Sequence, residues 1–514
     1  MFQPPWNFPP PPPPPQPPLP DDFIPPPVGP PIDAPLAIIP MEFIQPPPLF
    51  NSRPIQNVVN SLNRRTTAFS KPGQGYENVI AILKAYLERK SGVKYDPTRL
   101  KFLKTGLKNE MSANEKVAGI FYEVDVALTV QQASRMVSSQ RVKRKAVANV
   151  TMRWKSPTIS YRFAINDVDW QSQIRRVLRK FSGITCLRFL ENAAAEDYII
   201  FNRGEGCYSS VGRLGGAQEV SIGYGCETDG IIAHEVSHSL GLWHEHSRPE
   251  RDSYVTVNVQ NAVPGTEGQF RKLSSGESVS LGVPYDYGSV MHYSSTTFAK
   301  TAGVKTIVPH QPQYEHTIGN RVDASFLDIK LLNLMYCPRI CRNSLPCQHG
   351  GYPNPNACNR CICPTGLSGI YCEQVQSANC GNQSPMAMDA WQNLSYSGHS
   401  NCYWRIRTTP GDRIIFEFTY VYFKCSPTCE EFVEVKYDLN YERTGYRLCC
   451  RAEYGPVVSY SNEILVMTTA TIQSQFTLRY RRERTVITTQ APMTTAFPGL
   501  LNSNKRNSRK NELQ

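Results

Sequence analysis

The rhythm of apolar and polar positions changes along the chain, and the changes divide it. In YENVIAILKAYLERK, which begins at Tyr76, apolar residues recur three and four apart, the spacing of one helix face; the pattern runs over 76–104. DVDWQSQIRRVLRKFSGI, which ends at Ile184, has the same period. TISYRFAI, from Thr158, and DYIIFNR, from Asp197, read as strands, so residues 145–340 have the balance of a mixed α/β domain. DRIIFEFTYVYF and EEFVEVKY alternate with period two, which makes residues 380–482 strand-rich. The segment 341–372 is too short for a core of its own and holds six cysteines. No internal repeat is visible.

Composition sharpens the ends. The chain has 514 residues, more than one core, since cores stop growing near about 250–300 residues. Of its 42 prolines, 22 precede position 50, so residues 1–49 are expected to be a disordered, partly polyproline II spacer. No run of about 18 uncharged apolar residues exists, and no membrane span is expected. The net charge is +12, but Arg479 to Gln514 alone carry eight Lys/Arg against two Asp/Glu. Half the excess thus sits in residues 479–514, and the basic tail, 483–514, is read as solvated and disordered and able to touch acidic matrix.

All sixteen cysteines lie between Cys186 and Cys450. Their even number and irregular spacing indicate disulfides in an oxidising compartment rather than a zinc ribbon. That load, with the localised charge, opposes a nucleic-acid binder. The opening MFQPPWNFPPPPP shows neither a basic n-region nor an apolar h-region. The cysteines therefore carry the expectation of a secreted, extracellular protein. Arg141-Val142-Lys143-Arg144 is a basic cluster in a polar stretch, before every cysteine, and matches what furin-like convertases cut. Sequons begin at Asn149 and Asn393.

The candidate chemistry sits in His234-Glu235-Val236-Ser237-His238-Ser239-Leu240-Gly241-Leu242-Trp243-His244. On a helix, residues i and i+4 share a face, so His234 and His238 can present nitrogens to one ion. Glu235 stands beside them as a general base for a water on that ion. Thr228 or Asp229 can cap the helix. Gly241 can take positive φ and turn the chain so that His244 arrives as a third ligand. Three neutral imidazoles leave a position open, which marks a catalytic zinc site. Downstream, Tyr287-Gly288-Ser289-Val290-Met291-His292-Tyr293 carries a methionine of the kind that floors such sites, Met291. His246 and His292 lie nearby and read as surface or supporting residues.

These residues resemble the astacin family of zinc metalloendopeptidases, whose signature continues here as HEVSHSLGLWHEHSRPERDSYV. Glu250 stands where the family usually has Asp, and the SVMHY turn matches. The resemblance implies an α+β metzincin catalytic domain over 145–340 behind a pro-region, 50–144. It implies one Zn2+ on His234, His238 and His244, Glu235 as proton carrier, and Tyr293 as the switch tyrosine that stabilises the oxyanion. Glu245 would meet the ammonium of Lys145, freed by cleavage after Arg144. In family pro-regions a Phe-Glu-Gly-Asp motif places an Asp on the zinc; Tyr122-Glu123-Val124-Asp125-Val126 corresponds, with Asp125 the capping carboxylate and Val124 in place of glycine.

The resemblance also implies disulfides Cys186–Cys337 and Cys207–Cys226. Residues 341–373 resemble an EGF-like module, with Cys341–Cys358, Cys347–Cys361 and Cys363–Cys372 expected. Residues 380–482 resemble a CUB domain, an all-β sandwich, with Cys380–Cys402. The pairing of Cys425, Cys429, Cys449 and Cys450 is open. This order of modules is similar to nematode members that act on cuticle or other matrix, which makes extracellular matrix proteins the expected substrates and matrix components the expected partners. The competing reading is a catalytically silent matrix adhesion protein using the EGF-like and CUB modules. It predicts the loss of Glu235 or of a ligand, and none is lost.

Overall fold

The computed structural model describes residues 53, 57, 59–60, 62–63, 76–96, 109–137, 146–147, 150–274, 277–381 and 384–484. The proline-rich segment, Arg144, Lys145, Asn149 and the tail beyond 484 lie outside the described residues. Two compact units result: one within Met1–Ser344 and Pro353–Asn359, the other within Leu345–Tyr352 and Arg360–Gln514.

In the first unit, helix α1 (Tyr76–Ser91) buries Val79, Ile80, Leu83, Tyr86 and Leu87. They join one core with Phe121, Tyr122, Val126, Tyr208, Val211 and Trp243. Five such side chains, at about 1.5–3 kcal/mol each, hold the N-terminal segment on the rest of the unit. The helix ends at Ser91, earlier than its periodicity suggests, because Gly92 takes a left-handed φ of 69°.

A five-stranded sheet follows, built from β1 (Thr158–Phe163), β2 (Arg188–Glu191), β3 (Tyr198–Asn202), β4 (Cys207–Ser209) and β5 (Ala217–Ile222). The spatial order is β2-β1-β3-β5-β4. Only β4 is antiparallel to its neighbour, and it forms one edge. Helix α2 (Val168–Ile184) crosses between β1 and β2, capped by the Asp167 carboxylate on Trp170 N at 3.1 Å. Its apolar stripe, Trp170, Ile174, Val177, Leu178 and Phe181, is buried. Helices α3 (Asp229–Ser239) and α4 (Phe326–Tyr336) complete the frame. Disulfides join Cys186 to Cys337 and Cys207 to Cys226.

The exposed edge β4 does not stay bare. Residues 125–127 lie along it, with Ser209 N donating to Asp125 O (3.0 Å) and Ala127 N to Ser209 O (2.9 Å). The Val126–Ser209 bridge is parallel. Asn114, fully buried, reinforces the attachment: its side chain bonds both Cys207 N and Cys207 O at 2.6 Å. The first unit thereby satisfies an edge with a segment from its own N-terminal part.

The second unit is an all-antiparallel sandwich. One sheet has the order β6-β13-β8-β11, from Gln392–Gly398 (β6), Arg413–Phe423 (β8), Cys450–Val458 (β11) and Ser474–Glu483 (β13). The other has the order β7-β12-β9-β10, from Tyr403–Arg407 (β7), Phe432–Lys436 (β9), Tyr446–Leu448 (β10) and Glu463–Thr469 (β12). Period-two alternation puts Phe476, Leu478 and Tyr480 of β13 inward and Gln475, Thr477 and Arg479 outward. Cys380 pairs with Cys402, and the four cysteines left open by the sequence pair as Cys425–Cys450 and Cys429–Cys449. Three further bridges, Cys341–Cys358, Cys347–Cys361 and Cys363–Cys372, staple the short segment before the sandwich.

Candidate metal centre

Helix α3 carries the first two histidines. Its N-cap is Thr228, whose hydroxyl accepts from Ile231 N at 3.3 Å. Gly230 permits a close approach: a Cβ there would meet Arg321 O at 1.9 Å. Gly241, at φ 100°, ends the helix, and Leu242 N reaches back to Ser237 O at 2.9 Å. The turn returns His244 toward His234 and His238, and all three are fully buried.

Their nitrogens divide the work. Nδ1 of His234 donates to Val290 O and Nδ1 of His238 to Leu242 O, both at 2.8 Å, whereas Nδ1 of His244 donates to the Glu123 carboxylate at 2.7 Å. Each Nε2 is therefore turned toward the others. Asp125 fills the space between them, with its oxygens 3.2 Å from His234 Nε2, 3.5 Å from His238 Nε2 and 3.4 Å from His244 Nε2. These four ligand atoms lie within 4.8 Å of one another. Among the described residues, His238 Nε2, His244 Nε2, Asp125 Oδ1 and both oxygens of Glu235 are buried without a hydrogen-bond partner. Buried polar atoms so arranged are costly unless a cation satisfies them. Three imidazoles and one carboxylate suit a single tetrahedral zinc, so the residues present fit that ion.

The charges explain the poise of the site. Burial, helped by the Asp125 and Glu110 carboxylates, pushes Glu235 well above the usual carboxylate range. A divalent cation at the cluster would counter that push. Burial also raises Asp125, but the three imidazoles outweigh it and hold Asp125 well below its ordinary value. Burial lowers His234 to about 4. His244 rises to about 9, because Asp125 and Glu123 overcome the same burial.

The methionine turn is tied to this cluster from below. Asp328 of α4 accepts from Ser289 Oγ (2.6 Å) and Val290 N (2.9 Å), which fixes the carbonyl that orients His234. Met291 is buried, and its carbonyl accepts from Glu245 N at 2.8 Å, just after the third histidine. Tyr293 is buried beside His244, ring centroids 4.8 Å apart, and stacks on His246 at 3.8 Å. Its hydroxyl has no hydrogen-bond partner among the described residues. His246 and His292 are both fully buried, which corrects the surface alternative for them; His292 Nε2 meets Tyr285 OH at 2.7 Å. Glu245 Oε1 accepts from Arg248 Nη1 and from Asp286 N, each at 2.8 Å. Its expected partner Lys145 lies outside the described residues. Asn393 is exposed on the edge strand β6.

Sequence reasoning missed four contributors. Glu123 contacts His244 and Ser247, Gln269 holds the backbone of Glu123 and Phe121, and Asn114 holds Val124 and Cys207. Glu110 forms a buried ion pair with Arg321, with Nε to Oε2 at 2.7 Å. Glu123, two residues before Asp125 in the same quoted segment, was within reach of the sequence; apart from Asn114 with Val124, the other partnerships span at least 90 residues and leave no local signal.

The profile of the Astacin peptidase family matches residues 146–337, and that of the CUB domain matches residues 374–480. Zinc metalloproteinase nas-30 of Caenorhabditis elegans is 41% identical over 375 residues, 71% of this chain and 50% of that protein. Zinc metalloproteinase nas-26 of the same organism is 38% identical over 370 residues, 69% of this chain and 89% of that protein. Among solved structures, High choriolytic enzyme 1, a hatching enzyme zinc-protease of Oryzias latipes, is 36% identical over 37% of this chain and 96% of its own, with a TM-score of 0.35. The chain spans about half the length of the first relatives, 50% and 55%.

Proposed function

The chain belongs to the astacin family of peptidases, and from that premise we propose that it is a secreted zinc endopeptidase made as a zymogen, which hydrolyses internal peptide bonds of extracellular proteins. The observation that carries this reading is the convergence of three Nε2 atoms beside a buried Glu235 whose oxygens have no other partner. Zinc, when bound there, polarises the scissile carbonyl and acidifies the attacking water. Glu235 takes the proton from that water and passes it to the departing amine. Tyr293, a phenol with an unengaged hydroxyl, donates to the oxyanion as it forms.

The same geometry supports a latent form. Asp125 sits where water and substrate must enter, and residues 125–127 take up the edge β4 on which an extended substrate would pair. Residues 50–144 thus act as the pro-segment, with Asp125 its inhibitory ligand. Cleavage after Arg144 by a furin-like convertase frees Lys145, whose ammonium then pairs with Glu245. The stapled segment 341–373 acts as an EGF-like module and, with the CUB domain, selects matrix or cuticle partners. Glycans at Asn149 and Asn393 accompany secretion.

The test is the unprocessed chain against its Asp125→Asn variant, assayed on a quenched peptide. The variant is expected to show at least tenfold more activity without processing. Equal, negligible activity in both, with full activity after cleavage, would remove Asp125 from the inhibitory role.

A further inference from the structure

Two of the three candidate zinc ligands are oriented by the catalytic part of the chain itself: His234 by Val290 O and His238 by Leu242 O. The third is not. His244 Nδ1 is held at 2.7 Å by Glu123, a residue of the pro-segment. The other Glu123 oxygen accepts from Ser247 Oγ at 2.5 Å, and Glu123 N donates to Gln269 Oε1 at 2.8 Å. Glu123 is fully buried, so these bonds replace its hydration entirely. From this asymmetry we infer that Glu123 is a positioning residue of the metal centre and a second anchor of the pro-segment, so that the site is fully organised only while the pro-segment lies on it.

The backbone supports a separate role for this anchor. Glu123 and Val124 both adopt left-handed φ, 47° and 75°. A β-branched residue is a genuine outlier there, because its Cβ crowds the following carbonyl. Asp125 reaches the histidines only through that bend, so the segment needs a hold that offsets the strain. Glu123 supplies it from inside the bend, on His244 and Ser247. When the pro-segment leaves, His244 alone among the three loses its orienting acceptor. The zymogen therefore binds zinc more tightly than the mature form for two reasons, the Asp125 ligand and the Glu123 contact, and the second can be measured by itself.

This inference rests on the zinc reading of His234, His238 and His244. The experiment uses the full unprocessed chain and Zn2+ in competition with a chromophoric chelator. Removing an acceptor behind a ligating histidine costs about 10–100-fold in metal affinity, and Glu123→Ala is expected to fall in that range. Glu123→Gln, which keeps an uncharged acceptor, is expected to lose less. Zinc affinity within twofold of wild type in Glu123→Ala would overturn the inference. A wild type that binds no zinc would instead overturn the metal centre itself.

A second measurement covers the case in which Glu123→Ala fails to fold. Hydrogen exchange at the Ser209 and Ala127 amides reports the hold of the pro-segment on β4, because both amides bond across that contact. Ser247→Ala is expected to speed exchange at both. Gln269→Ala, which removes the acceptor of the Glu123 amide, is expected to speed it as well. Exchange at the wild-type rate in both variants would overturn the anchor role.

Discussion

The histidine cluster and the sandwich both bury charge, and they treat it in opposite ways. In the sandwich, Glu434 is buried on β9 with one oxygen on Gly445 N and the other on Arg447 Nε, both at 2.9 Å. Glu431, at the entry to β9, accepts from Thr471 Oγ1 at 2.5 Å and Thr471 N at 3.2 Å. In the cluster, Glu235 is equally buried and neither oxygen has a partner. A carboxylate with its acceptors filled fixes one packing of a sheet. A buried carboxylate kept unfilled is held for something the protein itself does not supply, here a cation and a water. The difference separates the unit that carries the proposed chemistry from the unit whose buried carboxylates only hold its packing.

Mutations should sharpen that contrast, and the largest effect is expected at the unfilled group. Glu235→Gln in the processed form should lower kcat/KM by at least about a thousandfold while zinc content stays at one per chain, read by peptide hydrolysis and metal analysis. Glu434→Ala should do the reverse. It leaves the buried Gly445 amide without the Glu434 acceptor and removes one partner of Arg447, and should cost the sandwich about 1–3 kcal/mol, read by denaturant unfolding, with peptidase activity and zinc unchanged. If activity fell with it, the two regions would not be separable in function. A purely apolar change, Ile406→Val at a fully buried position of β7, should cost only about 0.5–1.5 kcal/mol, again with zinc unaffected.

The smallest effect is expected at the sandwich surface. Asp389 is held well below its ordinary value by Arg482 and Arg484. A carboxyl lowered in the folded state contributes stability that is present above its unfolded pKa, about 3.9, and is lost as pH falls through the folded value. The group is solvent-exposed and screened, so Asp389→Asn should leave the unfolding midpoint at pH 7 and physiological salt indistinguishable from wild type. A clear shift would mean that this triad, and not only the interior, organises the unit.

What the sequence disclosed followed the range of the interactions. The HExxHxxGxxH run is legible because α3, its cap at Thr228 and the turn at Gly241 put the ligands eleven residues apart or less. Among the strands, β1 and β3 of the first unit and β8 and β9 of the second were legible, and β8 shows why: Ile414, Phe416 and Phe418 are buried while Arg413 and Thr419 are exposed. The pairing of Cys425, Cys429, Cys449 and Cys450 was not, because it depends on which strand ends meet across the sandwich. Asn114, Gln269 and the Glu110–Arg321 pair were hidden for the same reason: each joins residues 90 or more positions apart. Val124 could be singled out as a departure from glycine, but only the structure assigns it a left-handed φ of 75°.

The central claim is that three imidazoles hold one zinc and that Glu235 moves the proton. The most direct test measures peptidase activity and zinc content together, in the processed wild type and in Glu235→Ala. The account predicts one zinc in both and cleavage by the wild type alone. One zinc in both with no cleavage by either would contradict it, and would turn the chain into a zinc-bearing adhesion protein.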